Sequence, residues 1–323
     1  MKKWTKIILS VLAVLAIGLF IVYSIFIKAH FVDEPLLDGF LKEDSIASLK
    51  RSFLWYKPKS TNNVNTILFV FHGSKGDGKS IRQQTSYGFD KLADKENFIV
   101  IYPNGYFNHW NDCRASASYK ANTDDVDDIT FLKEIEQKIQ NELNIKFDNE
   151  FAVGYSNGGH FCFKLALEAP DWIDGIAAIS ANLPVDANLD CKKSNQFVPI
   201  LLCNGTEDKI NPYQGGLVEI FGDTSRGMVL STDLTIDYFR KIGKLPSDSK
   251  KSDLPDINKD DNSTVEMYKW KTGTSQKIVL YKIIGGGHTI PNLKSKFPKI
   301  LGNTNNDVNM PEFIWQFFKS NSK

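Results

Sequence analysis

The sequence predicts an α/β protein built on a mostly parallel sheet with helices on both faces. Three observations carry that expectation. Continuous apolar runs recur along the chain: TILFVFHG (66–73), FIVIYPNG (98–105), FAVGYS (151–156), GIAAISA (175–181) and FVPILLC (197–203). Runs of this kind mark strands buried on both faces, not half-exposed ones. Segments with apolar residues at helical spacing separate them, and alternation of the two element types implies parallel crossovers. Glycine closes several runs, where a strand must turn into a loop or helix.

The elements follow in order. After MKKWTK (1–6) comes IILSVLAVLAIGLFIVYSIFI (7–27), which holds no charged residue. As a helix it would span about 30 Å, the thickness of a hydrocarbon core. Lys2, Lys3 and Lys6 precede it, so the positive-inside rule puts the N-terminus in the cytoplasm and the bulk of the chain outside. A cleaved signal peptide is the alternative, but the run is long for one and no small-residue cleavage site follows. Residues 28–48 read as a connector, and 49–323 as one catalytic domain with no repeat and no second core. Within it, 52–56 reads as a first strand, 80–95 as a helix, and 127–143 as a helix with Leu132, Ile135, Ile139 and Leu143 on one face. Residues 157–167 form the next expected helix. A helix near 231–242, a strand at 276–284 and a closing helix near Met310–Lys319 complete the series. The stretch 244–263, KLPSDSKKSDLPDINKDDNS, is polar and breaker-rich and reads as a mobile surface loop.

Composition narrows the partners. The 323 residues carry 39 Lys and Arg against 38 Asp and Glu, a net charge of +1, with no basic tract interleaved with aromatics. That gives no basis for nucleic-acid binding. Four cysteines show no C-x-x-C spacing, which argues against zinc. Cys162 and Cys203 lie in apolar runs and read as core thiols. Cys113 and Cys191 lie in polar, loop-like surroundings, where an exported protein could pair them. The carboxylates Asp124, Asp125, Asp127 and Asp128 stand where helix caps are expected, more than a calcium site. No cofactor or metal is implied.

The chemistry centres on GYSNGG. In such a sheet ligands bind at the carboxyl ends of the strands, and Gly154-x-Ser156-x-Gly158 falls between a strand and a helix. In that setting it reads as a nucleophile elbow of the α/β-hydrolase kind. A serine hydroxyl needs a base. Of His30, His72, His109, His160 and His288, only His288 follows Ser156 on a separate loop, in IIGGGHTIP directly after a strand. The acid must lie between them in the chain order serine, acid, histidine. Asp208, in GTEDKINPY after the strand 197–203, fits best, with the adjacent Glu207 as the alternative. Oxyanion donors are expected from the backbone N–H of Asn157 and of Ser74, with Gly73 close behind.

Taken together, HG after a buried strand, YPNG with Trp110, DDVDDITFL, GYSNGG, GTEDKINPY and GGGHTIP resemble the polyhydroxybutyrate depolymerase and feruloyl esterase family. These are α/β-hydrolase-fold enzymes related to the first carbohydrate esterase family. The motifs run in family order over roughly residues 50–318. The resemblance implies Ser156, Asp208 and His288 as a triad, and the family's GT-x-D pattern favours Asp208 over Glu207. Gly73, Trp110, Tyr155 and Tyr213 are the expected substrate contacts. Family members carry cysteines near Cys113 and Cys191, which supports that disulfide. Cys203 stands where a histidine is common and Ile290 where a tryptophan is common, and a late cysteine pair is missing. Those differences bear on the substrate more than on the reaction. The expected function is therefore an extracytoplasmic serine esterase, membrane-anchored through its N-terminal helix, acting on feruloyl, acetyl or hydroxyalkanoate esters. An acyltransferase with the same triad and an inactive binding protein on the same scaffold are the rivals.

Overall fold

The computed structural model describes residues 12, 15, 18, 20, 23–273 and 275–323. The span expected at 7–27 therefore lies largely outside the described residues. Among those that are described, no helix is long and apolar enough to cross a membrane.

The chain builds β1 (Phe40–Ile46), β2 (Arg51–Lys57), β3 (Thr66–Phe71), α1 (Gly78–Gln84), α2 (Gly88–Glu96), β4 (Ile99–Pro103), α3 (Lys120–Thr123), α4 (Asp128–Leu143) and β5 (Asn149–Tyr155). It continues with α5 (Asn157–Glu168), β6 (Gly175–Ile179), β7 (Ile200–Gly205), β8 (Gly216–Leu217), β9 (Met228–Val229), α6 (Thr232–Ile242), β10 (Lys250–Asp253), β11 (Thr264–Thr272), β12 (Ser275–Ile284) and α7 (Met310–Lys319). Ten strands form one sheet in the order β1-β2-β4-β3-β5-β6-β7-β12-β11-β10. From β4 to β12 neighbouring strands run parallel, and antiparallel pairs close both edges. Every residue of β3 through β7 is buried, which is why those strands read as unbroken apolar runs.

The period of two divides each strand between two cores. Ile67, Phe69 and Phe71 of β3 pack with Phe131, Leu132 and Ile135 of α4 and with Phe161 and Leu165 of α5. Leu68 and Val70 of the same strand face Ile81 of α1, Phe89 of α2 and Ile314 and Phe318 of α7. The expected α/β-hydrolase layering is present.

Three expectations are corrected. The helix at 80–95 is two helices, because Ser86 and Tyr87 take positive φ (55° and 56°) and turn the chain between α1 and α2. The turn brings Gly88 against Pro311 of α7, and a buried Arg82–Asp90 pair at 2.5 Å ties the two helices together. The connector 28–48 is not free of structure, since β1 lies in it, paired with β2 from Phe40↔Lys57 to Ile46↔Arg51. The loop 244–263 carries β10, which pairs with β11 as the outermost strand. Both edge strands carry three charged residues of mixed sign, Lys42, Glu43 and Asp44 in β1 and Lys250, Lys251 and Asp253 in β10, and are largely exposed. Charge on an edge strand discourages pairing with other chains, and it also removes the apolar pattern by which a strand is recognised.

Cys113 and Cys191 form a disulfide across 78 residues of sequence. It fastens the loop after β4 to the segment before β7, where Ala115 N–H also donates to Asn188 O at 2.9 Å. Cys162 and Cys203 are buried thiols. Closing a loop of that length removes about 4 kcal/mol of unfolded-chain entropy in the simplest treatment. Replacing both paired cysteines by alanine should lower the unfolding free energy by about 2–4 kcal/mol, measured by denaturant titration. An unchanged midpoint, with and without reductant, would show that the bridge contributes nothing.

Candidate active site

The site starts at the end of β5. Ser156 has φ 55° and ψ −118°, a conformation that L-residues avoid, and α5 begins at the next residue. The bend is possible only because backbone meets backbone. A Cβ on Gly154 would lie 2.1 Å from the Gly158 carbonyl group, and one on Gly158 would lie 2.6 Å from Phe71 O. The Ser156 side chain is thereby presented at the carboxyl edge of the sheet, and its own N–H is held by Ile179 O at 2.9 Å.

Two loops from neighbouring strands meet it there. His288 Nε2 lies 2.9 Å from Ser156 Oγ, and His288 Nδ1 lies 2.7 Å from Asp208 Oδ2. The other oxygen, Asp208 Oδ1, accepts from the N–H groups of Ile210 and Asn211 at 2.8 and 2.9 Å. An ionised carboxylate only accepts, so the imidazole proton belongs on Nδ1 and Nε2 is left to receive the serine proton. Glu207 is exposed, whereas Asp208 is buried. The His288 backbone is fixed as well: its N–H donates to Leu301 O at 2.7 Å, and its carbonyl accepts from Tyr155 Oη at 2.7 Å.

The expected oxyanion donors lie on either side of Ser156. Among the described residues, neither the Ser74 nor the Asn157 N–H donates to a protein acceptor. The Gly73–Ser74 turn is held from beneath by His72. Gly105 N–H donates to His72 Nε2 at 2.9 Å, so Nδ1 carries the proton and donates to Gly73 O at 2.8 Å. Burial pushes the His72 pKa down to about 4, which keeps it neutral. Its role is to shape the turn.

Asn157 is held by its side chain. Its Oδ1 accepts from Trp110 N–H at 2.8 Å, and its Nδ2 donates to Asp112 Oδ2 at 2.7 Å and Tyr119 Oη at 3.1 Å. Asp112 in turn accepts from Arg114 Nη2 at 2.6 Å and from the Tyr119 hydroxyl. Burial works to raise the Asp112 carboxyl, but the Arg114 guanidinium outweighs it and holds the pKa at about 2. The sequence gives no signal for Asp112, Arg114 or Tyr119 beyond their nearness to Cys113.

Not every expected substrate contact reaches the site. Trp110 is fully buried; its ring packs on Phe71 and Phe161, and its Nε1 donates to His72 O at 3.0 Å. Tyr213 is buried too, its hydroxyl 3.2 Å from Asp233 Oδ1. Neither lines the cavity beside Ser156, so both are support and not contact. Gly73 and Tyr155 do line it. That cavity has a volume of about 540 Å³, with apolar walls from Phe31, Ile220, Phe221, Phe297 and Leu301. His160, one turn past Ser156, is buried, and burial drives its pKa well below the usual histidine value. The acidic patch is spent on protein donors. Asp127 caps α4 through Thr130 N–H at 2.9 Å, and Asp128 pairs with Arg51 at 2.5 Å.

Known proteins resemble the chain in the same terms. A family model described as Phospholipase/Carboxylesterase matches residues 59–218, a stretch that holds Ser156 and Asp208. NocK of Nocardia uniformis subsp. tsuyamanensis, an esterase by inference, is 22% identical over 78% of this chain and 73% of its own length. The bifunctional acetylxylan esterase/xylanase XynS20E of Neocallimastix patriciarum is 25% identical over 49% of this chain and 22% of its own. Feruloyl esterase C inferred in Aspergillus niger is 26% identical over 48% and 53%. The chain thus spans only part of the last two. In fold it is similar to the acetyl xylan esterase from Aspergillus awamori, with a TM-score of 0.57 at 13% identity, covering 87% of this chain and 100% of that one. The family match, over just under half of the chain, and these relatives agree on one likeness: the chain is similar to esterases of α/β-hydrolase fold.

Proposed function

We propose that the protein is a serine esterase that hydrolyses carboxylic esters through an acyl-enzyme formed on Ser156. The observation that carries this reading is the unbroken chain of hydrogen bonds from Asp208 through His288 to Ser156 Oγ, at the wall of a cavity and beside two uncommitted N–H groups. Ser156 Oγ attacks the ester carbonyl carbon while its proton passes to His288 Nε2. The carbonyl oxygen, now negative, is received by the N–H groups of Ser74 and Asn157. Collapse expels the alcohol, which takes the proton from His288. Water then gives a proton to the same nitrogen as it attacks the acyl carbon, and the bond to Ser156 Oγ breaks as that oxygen takes the proton back from His288, releasing the acid. Asp208 keeps the imidazole oriented and stabilises its charged form without being protonated itself. No cofactor enters the scheme.

The apolar cavity walls suit an ester with an apolar group next to the scissile bond, and feruloyl, acetyl and hydroxyalkanoate esters are all within that class. Action outside the cytoplasm is supported by the Cys113–Cys191 disulfide, since such bridges persist in oxidising compartments. The apolar sequence 7–27 supports export in the same direction.

With p-nitrophenyl acyl esters, methyl ferulate and polyhydroxybutyrate as substrates, Ser156→Ala should lower kcat at least about 10³-fold and Asp208→Asn roughly 10²–10⁴-fold. Hydrolysis that survives the serine replacement would overturn the mechanism. A second prediction concerns the turn under the oxyanion donors. The folded-state pKa of His72, about 4, lies below its ordinary value of 6.5. The unfolded chain therefore takes the proton first, and the stability owed to neutral His72 is complete above pH 6.5 and lost as pH falls toward 4. Relative to His72→Asn, the wild type should lose about 3 kcal/mol over that window. Parallel curves of unfolding free energy against pH for the two proteins would refute it.

A further inference from the structure

One wall of the substrate cavity comes from outside the sheet and from before its first strand. Ala29 and Phe31 line the cavity together with Ser156 and His288. Residues 31–37 have no helix or strand, yet the segment is fastened at successive points. His30 N–H donates to Lys296 O and Lys296 N–H to His30 O, both at 2.8 Å. Val32 N–H donates to Ser295 Oγ at 3.2 Å, and Glu34 pairs with Arg82 at 2.5 Å. Where the segment enters β1, Gly39 N–H donates to Tyr56 Oη at 2.8 Å. It is a strap laid from the outer edge of the sheet to the mouth of the site.

The strap ends in an aromatic series that reaches the imidazole. Phe31 meets Phe297 edge-on, with ring centroids 5.2 Å apart and planes at 82°. Phe297 packs on Tyr155 at 5.7 Å, and Tyr155 on His288 at 5.2 Å. Phe297 and Tyr155 are buried within the core, whereas Phe31 is only half-buried, carried on the strap and packed against the edge of that core. An apolar group bound beside Ser156 would therefore meet Phe31 as its outer limit.

We infer that the strap sets the size of ester the enzyme accepts, with Phe31 as the specificity-determining residue for the apolar group next to the scissile bond. The inference rests on the esterase reading above. It assigns Phe31 no part in bond making; the ring limits volume and supplies apolar contact.

The test uses the full chain and a series of p-nitrophenyl esters from acetate to decanoate. Phe31→Ala opens the outer wall, and the ratio of kcat/KM for decanoate to that for butyrate should rise about tenfold, the scale of a change in pocket size. Phe31→Trp fills the same place and should lower that ratio, so the inference does not hang on one variant. Active variants that both keep the wild-type chain-length profile would overturn the strap's role and leave the esterase reading standing. A wild-type chain inert toward the whole series would overturn both.

Discussion

Everything in the site depends on a contact between two stretches of bare backbone. Gly154 at the end of β5 has no room for a side chain against Gly158 in the first turn of α5, and Gly158 has none against Phe71 and His72 at the end of β3. That approach forces Ser156 into its positive-φ conformation and aims the hydroxyl away from the core. The strain costs on the order of 1–3 kcal/mol, and it is held by strands buried on both sides, where β3 and β6 flank β5. An exposed sheet could not hold it. The two cores therefore do more than stabilise the fold: they keep one residue in a backbone pose it would otherwise leave.

Around that fixed point the supporting hydrogen bonds fall into two sets. One set holds His288, through Asp208 at its ring and the Tyr155 hydroxyl on its carbonyl. The other set holds the N–H groups, through His72 under the Gly73–Ser74 turn and through Asp112, Tyr119 and Trp110 around the Asn157 side chain. The disulfide belongs to the second set, because Cys113 lies between Asp112 and Arg114 in the loop that clamps Asn157.

The parts of this arrangement that could be read from the sequence are those where one residue type answers one physical demand. The buried strands showed as apolar runs because both their faces are covered, and the elbow showed as glycines around a serine because nothing else fits. His288 stood out by elimination among five histidines. What escaped were features that use ordinary residues in long-range roles. β1 and β10 are too charged to show an apolar alternation. Asp112 and Arg114 satisfy each other in the interior and look from the sequence like loop polarity. Trp110 and Tyr213 were expected at the substrate from the motifs that carry the family resemblance, but both spend their polar atoms on the scaffold. Phe31, in a stretch read as connector, reaches the cavity only because strap and 295–298 loop meet in three dimensions.

Asp208 and His288 sit on loops that follow β7 and β12, which are hydrogen-bonded neighbours from Ile200↔Ile278 to Gly205↔Ile283. Between them the chain departs to build β8, β9, α6 and the β10–β11 edge before it returns. The spacing of carboxylate and imidazole is thus written into a ladder of main-chain bonds and is indifferent to the detour. A lineage could lengthen, shorten or exchange that excursion, and so remodel the surface beside the cavity, without moving Asp208 relative to His288.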